Sequence, residues 1–234
     1  MSDALSSMQN PQIKHVVKLQ TDRQYRTEHQ QVVIEGRKMV SEVAPLQQIF
    51  ATKDEMVSGA IEVAPEVMKK ISSVKSPEGI VAIAEMPPFS TLESVGKILV
   101  FDGIQDPGNL GTLMRTGLAF GWTGIYLLGN CCDPYNDKAL RSAKGATFRL
   151  KLYQGDDAHL KELSRTHQIL VADLDGKSPE TVTEAKQRIL VLGSESHGVS
   201  AACQTLGDAV TLSISGDMES LNVAVAGGIL MYLL

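Results

Sequence analysis

Residues 212–234, the last stretch of the chain, constrain the fold more than any other part of the sequence. They read LSISGDMESLNVAVAGGILMYLL, a polar turn followed by an almost wholly apolar run from Leu221. Because the run is apolar on every side, it predicts a buried helix, and it is shorter than the roughly 20 residues of a membrane span. Asn222 lies in its first turn, and a buried amide without partners costs roughly 1–3 kcal/mol. We therefore expect a partner for Asn222 elsewhere in the chain or in a ligand.

The composition excludes several classes of protein. With 234 residues, 43% hydrophobic and 21% charged, the chain is typical of a soluble globular protein of one large or two modest domains. A net charge of −5 requires any nucleic-acid binding to depend on local basic patches. The three cysteines, with Cys131 and Cys132 adjacent, fit neither a disulfide framework nor CxxC metal spacing. We expect a reducing compartment, no metal site and no membrane segment.

The pattern of apolar runs predicts two α/β domains. Residues 1–85 read as a small α/β unit, residues 86–96 as a linker that contains a Pro-Pro pair, and residues 97–234 as a larger domain. The larger domain repeats strand and helix, and most of its strands lack the alternation of a half-exposed strand, which indicates a parallel sheet covered by helices. The predicted strands are residues 98–101, 125–128, 148–153, 169–172, 189–192 and 210–214.

Three polar loops follow predicted strands, and ligands bind open parallel sheets at the carboxyl ends of the strands. The first loop leads through Asn109, a predicted N-cap, into a helix with Arg115. The second loop carries Glu195, and the third carries Ser220 and Asn222. Taken singly, each loop is equally typical of a capped turn. Together they predict a pocket, although they contain neither the dinucleotide glycine pattern, nor a phosphate loop, nor a nucleophile elbow.

Positive charges concentrate in two places. Lys138, Arg141 and Lys144 are spaced three apart, so they lie along one side of a predicted helix. The N-terminal unit carries a second group, Lys18, Arg23 and Arg26. Such patches suit contacts with phosphates, which position nucleic acid without reading its bases. A solvated helix face is the alternative for either patch alone, and the presence of two patches favours RNA binding.

The three loops together resemble the three motifs of the SpoU (TrmH-type) RNA ribose 2′-O-methyltransferases of the SPOUT superfamily. The motifs read DPGNLGTLMR at residues 106–115, LGSESHG at 192–198 and ISGDMESLNVAVA at 214–226. Ser196 and Ser213 stand where the family often has glycine and proline. Lys18, Arg26 and the sequence Ile-Glu-Gly at residues 34–36 resemble the family's small, ribosomal-protein-like substrate-binding domain. The resemblance covers nearly the whole chain.

The resemblance implies a trefoil-knotted parallel α/β domain, a homodimer packed through the knot helices, and S-adenosyl-L-methionine as cofactor. The cofactor-binding residues that it implies are Leu192, Gly193, Gly198, Ile214, Leu221 and Asn222. The catalytic residues that it implies are Arg115, Glu195, Asn222, Asn109 and Ser220. In that scheme Arg115 acts as the base, or it orients the ribose 2′-hydroxyl or binds the adjacent phosphate. Glu195 holds Arg115 or the substrate, and the two asparagines fix the loops and Arg115.

The function implied is S-adenosylmethionine-dependent 2′-O-methylation of a ribose in structured RNA, with ribosomal RNA favoured. A transfer RNA ribose methyltransferase and a non-catalytic RNA-binding relative stay open as alternatives. A base-methylating SPOUT protein is expected to lack the set formed by Arg115, Glu195 and Asn222. The expected compartment is the cytoplasm of a bacterium, or the mitochondrion or chloroplast of a eukaryote after removal of a transit peptide.

Overall fold

A computed structural model of the chain describes residues 4–216 and 218–234. Within those residues the helices are α1 (Pro11–Thr21), α2 (Arg23–His29), α3 (Arg37–Glu42), α4 (Pro65–Ile71), α5 (Pro107–Ala119), α6 (Asp137–Ala143), α7 (Asp157–Leu163), α8 (Ala201–Gln204) and α9 (Val223–Leu233). The strands are β1 (Gln31–Glu35), β2 (Leu46–Ala51), β3 (Ala60–Glu62), β4 (Ile80–Glu85), β5 (Lys97–Asp102), β6 (Gly124–Leu128), β7 (Lys151–Gly155), β8 (Gln168–Lys177), β9 (Arg188–Gly193) and β10 (Asp208–Val210). Asp217, which the third motif includes, lies outside the described residues.

The chain packs as two compact units. The first comprises Met1–Pro87 together with Tyr135–Phe148, and the second comprises Pro88–Pro134 and Arg149–Leu234. The first unit thus includes α6, a helix that the sequence pattern assigned to the larger domain. Leu140 of α6 and the neighbouring Tyr135 are buried in an apolar cluster of the first unit. Burying a side chain of this size stabilises a fold by roughly 1.5–3 kcal/mol, which explains why the segment packs there.

The first unit is a four-stranded sheet covered on both faces. Its strand order is β1-β4-β2-β3, with β4 antiparallel to β1 and β2, and with β2 parallel to β3. Val33 of β1 packs in one cluster with residues of α1 and α4. Val32 and Ile34 point the other way and pack with residues of α3 and α6. Because both faces of β1 are buried, this strand is apolar throughout its centre rather than alternating.

The second unit contains the predicted parallel sheet. In the described part of the chain its strand order is β10-β8-β9-β5-β6-β7, and every pair of neighbours is parallel. The central strands β5, β6 and β9 carry a run of buried residues, as the apolar pattern predicts. The mixed α/β class is therefore confirmed, whereas the knot implied by the resemblance stays a prediction. The strand predicted at residues 210–214 is wrong in extent, because β10 ends at Val210 and the chain continues as a loop.

Helix α9 is less enclosed than its composition predicts. Ala224, Gly227, Leu230 and Met231 form its buried face, and Trp122 Nε1 donates to the Met231 carbonyl over 3.1 Å. The opposite face is exposed within the single chain, and Tyr232 is 73% accessible. The prediction of a helix buried on most sides is therefore wrong for the chain alone. No helix in the described part of the chain is long and apolar enough to cross a membrane.

The adjacent glycines of α9 are expected to respond oppositely to alanine. A Cβ on Gly227 would lie 2.6 Å from Leu113 Cδ2, whereas one on Gly228 would meet its nearest atom, Thr116 Cγ2, at 3.5 Å. We expect Gly227→Ala to lower the free energy of unfolding by about 1–3 kcal/mol through overpacking. Gly228→Ala should raise it by up to about 1 kcal/mol through helix propensity. Urea unfolding measures both changes, and equal effects of the two variants would contradict the packing of α9 on α5.

Candidate active site

The loop after β5 is held by an aspartate rather than by the predicted asparagine. The N-cap of α5 is Asp106, whose carboxylate accepts the Asn109 N–H over 2.9 Å, and Pro107 takes the first helical position. The prediction that Asn109 caps this helix is therefore wrong. Proline suits the first position because the N–H that it lacks has no partner inside a helix. Because the helix begins three residues earlier than predicted, the Asn109 side chain lies in its first turn, where it is available for contacts outside α5.

Two side-chain hydrogen bonds join the three motifs. Asn222 Nδ2 donates to Asn109 Oδ1 over 3.2 Å, and Asn109 Nδ2 donates to Glu195 Oε1. Asn222 Oδ1 in turn accepts the Ala224 and Val225 N–H groups, so this residue is the N-cap of α9. Asn222 is exposed, and the prediction of a buried amide is wrong because α9 begins one residue later. We term these three residues, Asn222, Asn109 and Glu195, the amide chain.

Arg115 lies on α5, on the same helix as Asn109, and is exposed. Among the residues that the structure describes, its guanidinium has no hydrogen-bond partner and no ion-pair partner. Glu195 contacts Asn109 rather than Arg115. Arg115 therefore presents a permanent cation with five N–H donors to solvent or to a ligand.

The loop after β9 closes tightly on itself. Ser194 N–H donates to the Gly198 carbonyl over 3.1 Å, and Gly198 N–H donates to the Ser194 carbonyl over 2.9 Å. A Cβ on Gly193 would lie 2.1 Å from the Gly198 carbonyl carbon, so the buried Gly193 allows two backbone segments to pass in close contact. Leu192 is buried in the sheet, and its backbone alone can face a ligand. Ser196, which replaces the common glycine, contacts His197 Nδ1 through its hydroxyl over 2.7 Å.

The segment before α9 has few backbone hydrogen bonds of its own. Between Leu212 and Leu221, within the described residues, the bond from Met218 N–H to the Ser215 carbonyl (3.2 Å) is the one that the structure contains. Ile214 is half-buried, whereas Ser220 and Leu221 are exposed. Because backbone N–H and C=O groups require partners, this segment offers donors and acceptors to water or to a ligand.

The loop after β6 also reaches this edge, and the sequence analysis did not include it. Gly103 and Gly129 have φ values of 72° and 63°, so both turns use a left-handed conformation that favours glycine. The Cys131 thiol donates to the Phe101 carbonyl over 3.0 Å, and Cys132 N–H donates to the Ile104 carbonyl over 2.9 Å. The sequence signal that could have identified this loop is Gly129, a glycine that directly follows the wholly apolar strand β6.

The adjacent cysteines are unsuited to nucleophilic chemistry. Burial raises the pKa of the Cys131 thiol and raises the pKa of the Cys132 thiol to about 12. With these raised pKa values both thiols stay protonated near neutral pH. Because the thiolate is the form that acts as nucleophile or metal ligand, both side chains are unreactive. Within residues 4–216 and 218–234, no three or more His, Cys, Asp or Glu side chains are grouped so that they could hold a metal ion.

Asp102, at the end of β5, anchors the loop after β9. Its Oδ2 accepts the Ser200 N–H over 2.7 Å. We expect Asp102→Ala to lower the free energy of unfolding by about 1–2 kcal/mol, because the bond involves a charged acceptor. Asp102→Asn keeps an acceptor oxygen and should recover about half of the loss. Thermal and urea unfolding of the two variants tests this, and an alanine variant as stable as the unmodified protein would contradict the anchoring role.

The predicted RNA-binding side chains all lie in the first unit, but they are not equally accessible. Lys18, Arg23, Lys138 and Lys144 are exposed. Arg26 is 5% accessible and donates to the carbonyls of Leu19 (2.7 Å) and Gln20 (3.1 Å) at the end of α1. A structural role for Arg26 therefore replaces the predicted RNA contact. Arg141 is half-buried and forms an ion pair with Asp137 over 2.7 Å, which partly neutralises the centre of the predicted basic strip.

The fold and the candidate site together define the class of protein. The chain is a two-unit α/β protein whose parallel sheet gathers polar loops at the carboxyl edge, with the amide chain and an available arginine. The profile of the SpoU rRNA methylase family matches residues 96–232, and that of the MRM3-like substrate-binding domain matches residues 10–82. The chain belongs to the SpoU rRNA methylase family. The recognition made from the three motifs is confirmed.

Relatives similar to this chain extend over most of its length. A 23S rRNA (guanosine(2553)-2′-O)-methyltransferase of Bacillus subtilis (strain 168) is 29% identical over 97% of this chain and 97% of its own. A mitochondrial rRNA methyltransferase 3A of Danio rerio is 27% identical over 90% of this chain and 65% of its own. The crystal structure of an AdoMet-bound rRNA methyltransferase from Sinorhizobium meliloti matches with a TM-score of 0.87 at 26% identity, over 99% of this chain and 96% of that one.

Proposed function

We propose that this protein transfers the methyl group of S-adenosylmethionine to a ribose 2′-hydroxyl of structured RNA, with ribosomal RNA as the substrate. The amide chain carries this proposal, because it joins residues of all three motifs, and the first of these motifs also contains the exposed Arg115. Family membership supports it, and so do the printed activities of relatives that this chain matches over nearly its full length.

The loops at the sheet edge fit S-adenosylmethionine as cofactor. Adenine and the amino-acid moiety present hydrogen-bonding groups and an apolar face. Within the described residues, the segment around Ile214 and Leu221 offers backbone groups without a backbone partner, beside the exposed side chains of Met218 and Leu221. The absence of a side chain at Gly193 allows the Gly198 backbone to approach it closely, and Gly198 itself has a φ of 66°. When bound, the cofactor supplies a methyl group on a sulfonium, which is already a good electrophile. The crystal structure from Sinorhizobium meliloti, bound to AdoMet, supports this assignment.

The protein's part in the transfer is to position the ribose and to favour loss of its proton. We assign Arg115 to the 2′-hydroxyl or to the neighbouring phosphate, because its planar fork of N–H donors has no partner among the described residues. Glu195, held by Asn109, presents its second carboxylate oxygen to the substrate. Asn222 fixes the start of α9 and the first motif at once. Ser220 has an exposed hydroxyl just before that cap and is assigned to positioning.

We assign RNA binding to the first unit. The exposed cations Lys18, Arg23, Lys138 and Lys144 all belong to it, and the MRM3-like substrate-binding profile covers most of it. Ribosomal RNA is favoured over transfer RNA because two relatives that match 90% or more of this chain are named for rRNA, whereas the two structures named for tRNA match 58% and 60% of it. The expected compartment follows the host: the cytoplasm of a bacterium, or the mitochondrion or chloroplast of a eukaryote, of which a mitochondrial relative favours the mitochondrion.

We also propose a homodimer packed through α9. The outer face of this helix carries exposed Val225, Ile229, Tyr232 and Leu233. The Phe120 ring, itself 42% accessible, lies 5.6 Å from the Tyr232 ring and extends the apolar surface. Contiguous exposed apolar surface of this kind is typical of an interface. Sedimentation of the protein and of an Ile229→Asp variant tests the proposal, and a monomeric unmodified protein would contradict it.

The proposed activity is tested with cofactor labelled in the methyl group. The purified protein is incubated with large-subunit ribosomal RNA, with transfer RNA and without RNA, and the labelled RNA is then hydrolysed with alkali. We expect label in ribosomal RNA, in a product that resists alkaline cleavage, because a methylated 2′-oxygen cannot attack the adjacent phosphate. Label in transfer RNA alone would favour a transfer RNA ribose methyltransferase. RNA binding without label in any RNA would favour the non-catalytic alternative.

A further inference from the structure

Two aromatic rings and a lysine ammonium of the first unit form a stack at its surface. The Tyr25 and His29 ring centroids of α2 are 3.8 Å apart, and Lys18 Nζ of α1 lies 4.2 Å from the Tyr25 centroid. Two groups this close to one ring centre cannot share a face without overlapping. Lys18 and His29 therefore cover opposite faces of Tyr25. His29 is exposed and forms the outer end of the stack.

A hydrogen-bond chain holds Tyr25 in this orientation. Because the amide oxygen Gln31 Oε1 can only accept, His15 Nε2 donates to it over 2.7 Å. In the neutral imidazole, His15 Nδ1 is then the acceptor for the Tyr25 hydroxyl, over 2.8 Å. Asp22, the N-cap of α2, accepts the Tyr25 N–H over 3.0 Å and fixes the start of the helix. The ring beneath His29 is therefore ordered before any ligand binds.

His29 is held as well. Its Nδ1 donates to the Tyr25 carbonyl over 3.0 Å, because a carbonyl oxygen can only accept. Its ring plane is tilted by 34° from that of Tyr25. Exposed cations lie on the same two helices, at Lys14, Lys18 and Arg23. An ordered ring at the end of a stack, with cations near it, is the arrangement on which proteins stack unpaired bases while holding the adjacent phosphates.

We infer that the outer face of His29 stacks an unpaired nucleobase of the RNA, with Tyr25 as the supporting ring and Lys18 as a cation for the neighbouring phosphates. This inference rests on the proposed RNA substrate and adds to it a base contact, beyond the phosphate contacts. Stacking tolerates any base, since every base has a π-face. The platform therefore selects for an unpaired nucleotide rather than for a sequence, and it favours a loop or bulge over a continuous duplex.

The test measures RNA binding by the full-length protein at one fixed salt concentration, with no methyl transfer required. The probes are an oligoadenylate and an abasic sugar-phosphate chain of the same length. We expect the unmodified protein to prefer the oligoadenylate. His29→Ala should weaken that binding about tenfold, and His29→Phe should restore most of it, because phenylalanine keeps the stacking face. Gln24→Ala, an exposed position on the same helix, is the matched control and should bind like the unmodified protein.

A second readout separates stacking from charge. The dependence of the dissociation constant on salt should be the same for His29→Ala as for the unmodified protein, because no phosphate contact is lost, whereas Lys18→Ala should reduce the slope by about one. Equal binding of both probes by the unmodified protein, or a His29→Phe variant as weak as His29→Ala, would overturn the inference. A protein that shows the expected binding but never methylates RNA would overturn the proposed function and leave this inference standing.

Discussion

Arg115→Ala is expected to reduce methyl transfer to RNA by at least about a hundredfold, which is the usual contribution of a positioned group at the reacting atoms. Its guanidinium is the exposed cation of the first motif and has no partner among the described residues. Nothing in the fold depends on it, so the variant should unfold at the same urea concentration as the unmodified protein. Single-turnover methylation with labelled cofactor measures the loss.

The control for this prediction is Arg115→Lys, which keeps the charge and removes the planar fork. We expect it to recover only a minor part of the rate, because one ammonium cannot donate two parallel hydrogen bonds. Calorimetry should show that both variants bind S-adenosylmethionine nearly as tightly as the unmodified protein. An alanine variant that methylates at the unmodified rate would refute the role assigned to Arg115, whatever its binding.

Gly193→Ala is expected to weaken binding of S-adenosylmethionine by at least about tenfold and to lower stability. A Cβ at this position would lie 2.1 Å from the Gly198 carbonyl carbon and 2.3 Å from the Val199 nitrogen. Both are backbone atoms, so no side-chain rotation relieves the contact, and the loop that carries Glu195 must move. Isothermal calorimetry measures the affinity, and urea unfolding measures the stability.

Gly121→Ala is the matched control for Gly193→Ala. Gly121 has a φ of 80° and nothing within 4 Å of its would-be Cβ, so alanine there costs only the strain of a left-handed conformation, about 1–2 kcal/mol. We expect the control to lose stability while its affinity for the cofactor stays unchanged. A Gly193→Ala protein with unchanged affinity would show that the close passage of Gly193 and Gly198 does not shape the cofactor site.

The parallel sheet could be predicted because its central strands are buried on both faces, and that burial is written into the sequence as unbroken apolar runs such as residues 98–101 and 189–192. The end of β10 could not be placed in this way. The apolar character continues to Ile214, yet pairing stops at Val210, and pairing depends on the neighbouring strand rather than on local pattern.

The candidate site was predictable in its members but not in its contacts. The three motifs identified Asn109, Glu195 and Asn222 one by one, whereas the hydrogen bonds among them depend on how distant loops meet. Arg26 shows the opposite limit. A buried arginine that donates to the carbonyls at the end of α1 looks, in sequence, the same as a solvated arginine that could bind phosphate.

Helix α6 illustrates why the unit in which a segment packs could not be read from the pattern, although the SpoU profile includes this helix within residues 96–232. Between β6 and the basic segment that begins at Lys138 the sequence contains one proline, Pro134, and no proline-rich linker that would mark a boundary. Which unit takes up α6 depends on the apolar face that contains Leu140, and the complementary surface belongs to residues such as Ile34 and Met39 far away in the chain. Such long-range complementarity has no local signature.

The central claim, ribose methylation, is tested most directly by mass spectrometry of nucleosides. Large-subunit ribosomal RNA is treated with the protein and S-adenosylmethionine, digested to nucleosides and fragmented, in parallel with the Arg115→Ala variant. The account predicts a nucleoside whose added methyl stays with the sugar fragment, formed by the unmodified protein and nearly absent with the variant. A methyl group found on the base, or equal yields from the two proteins, would contradict it.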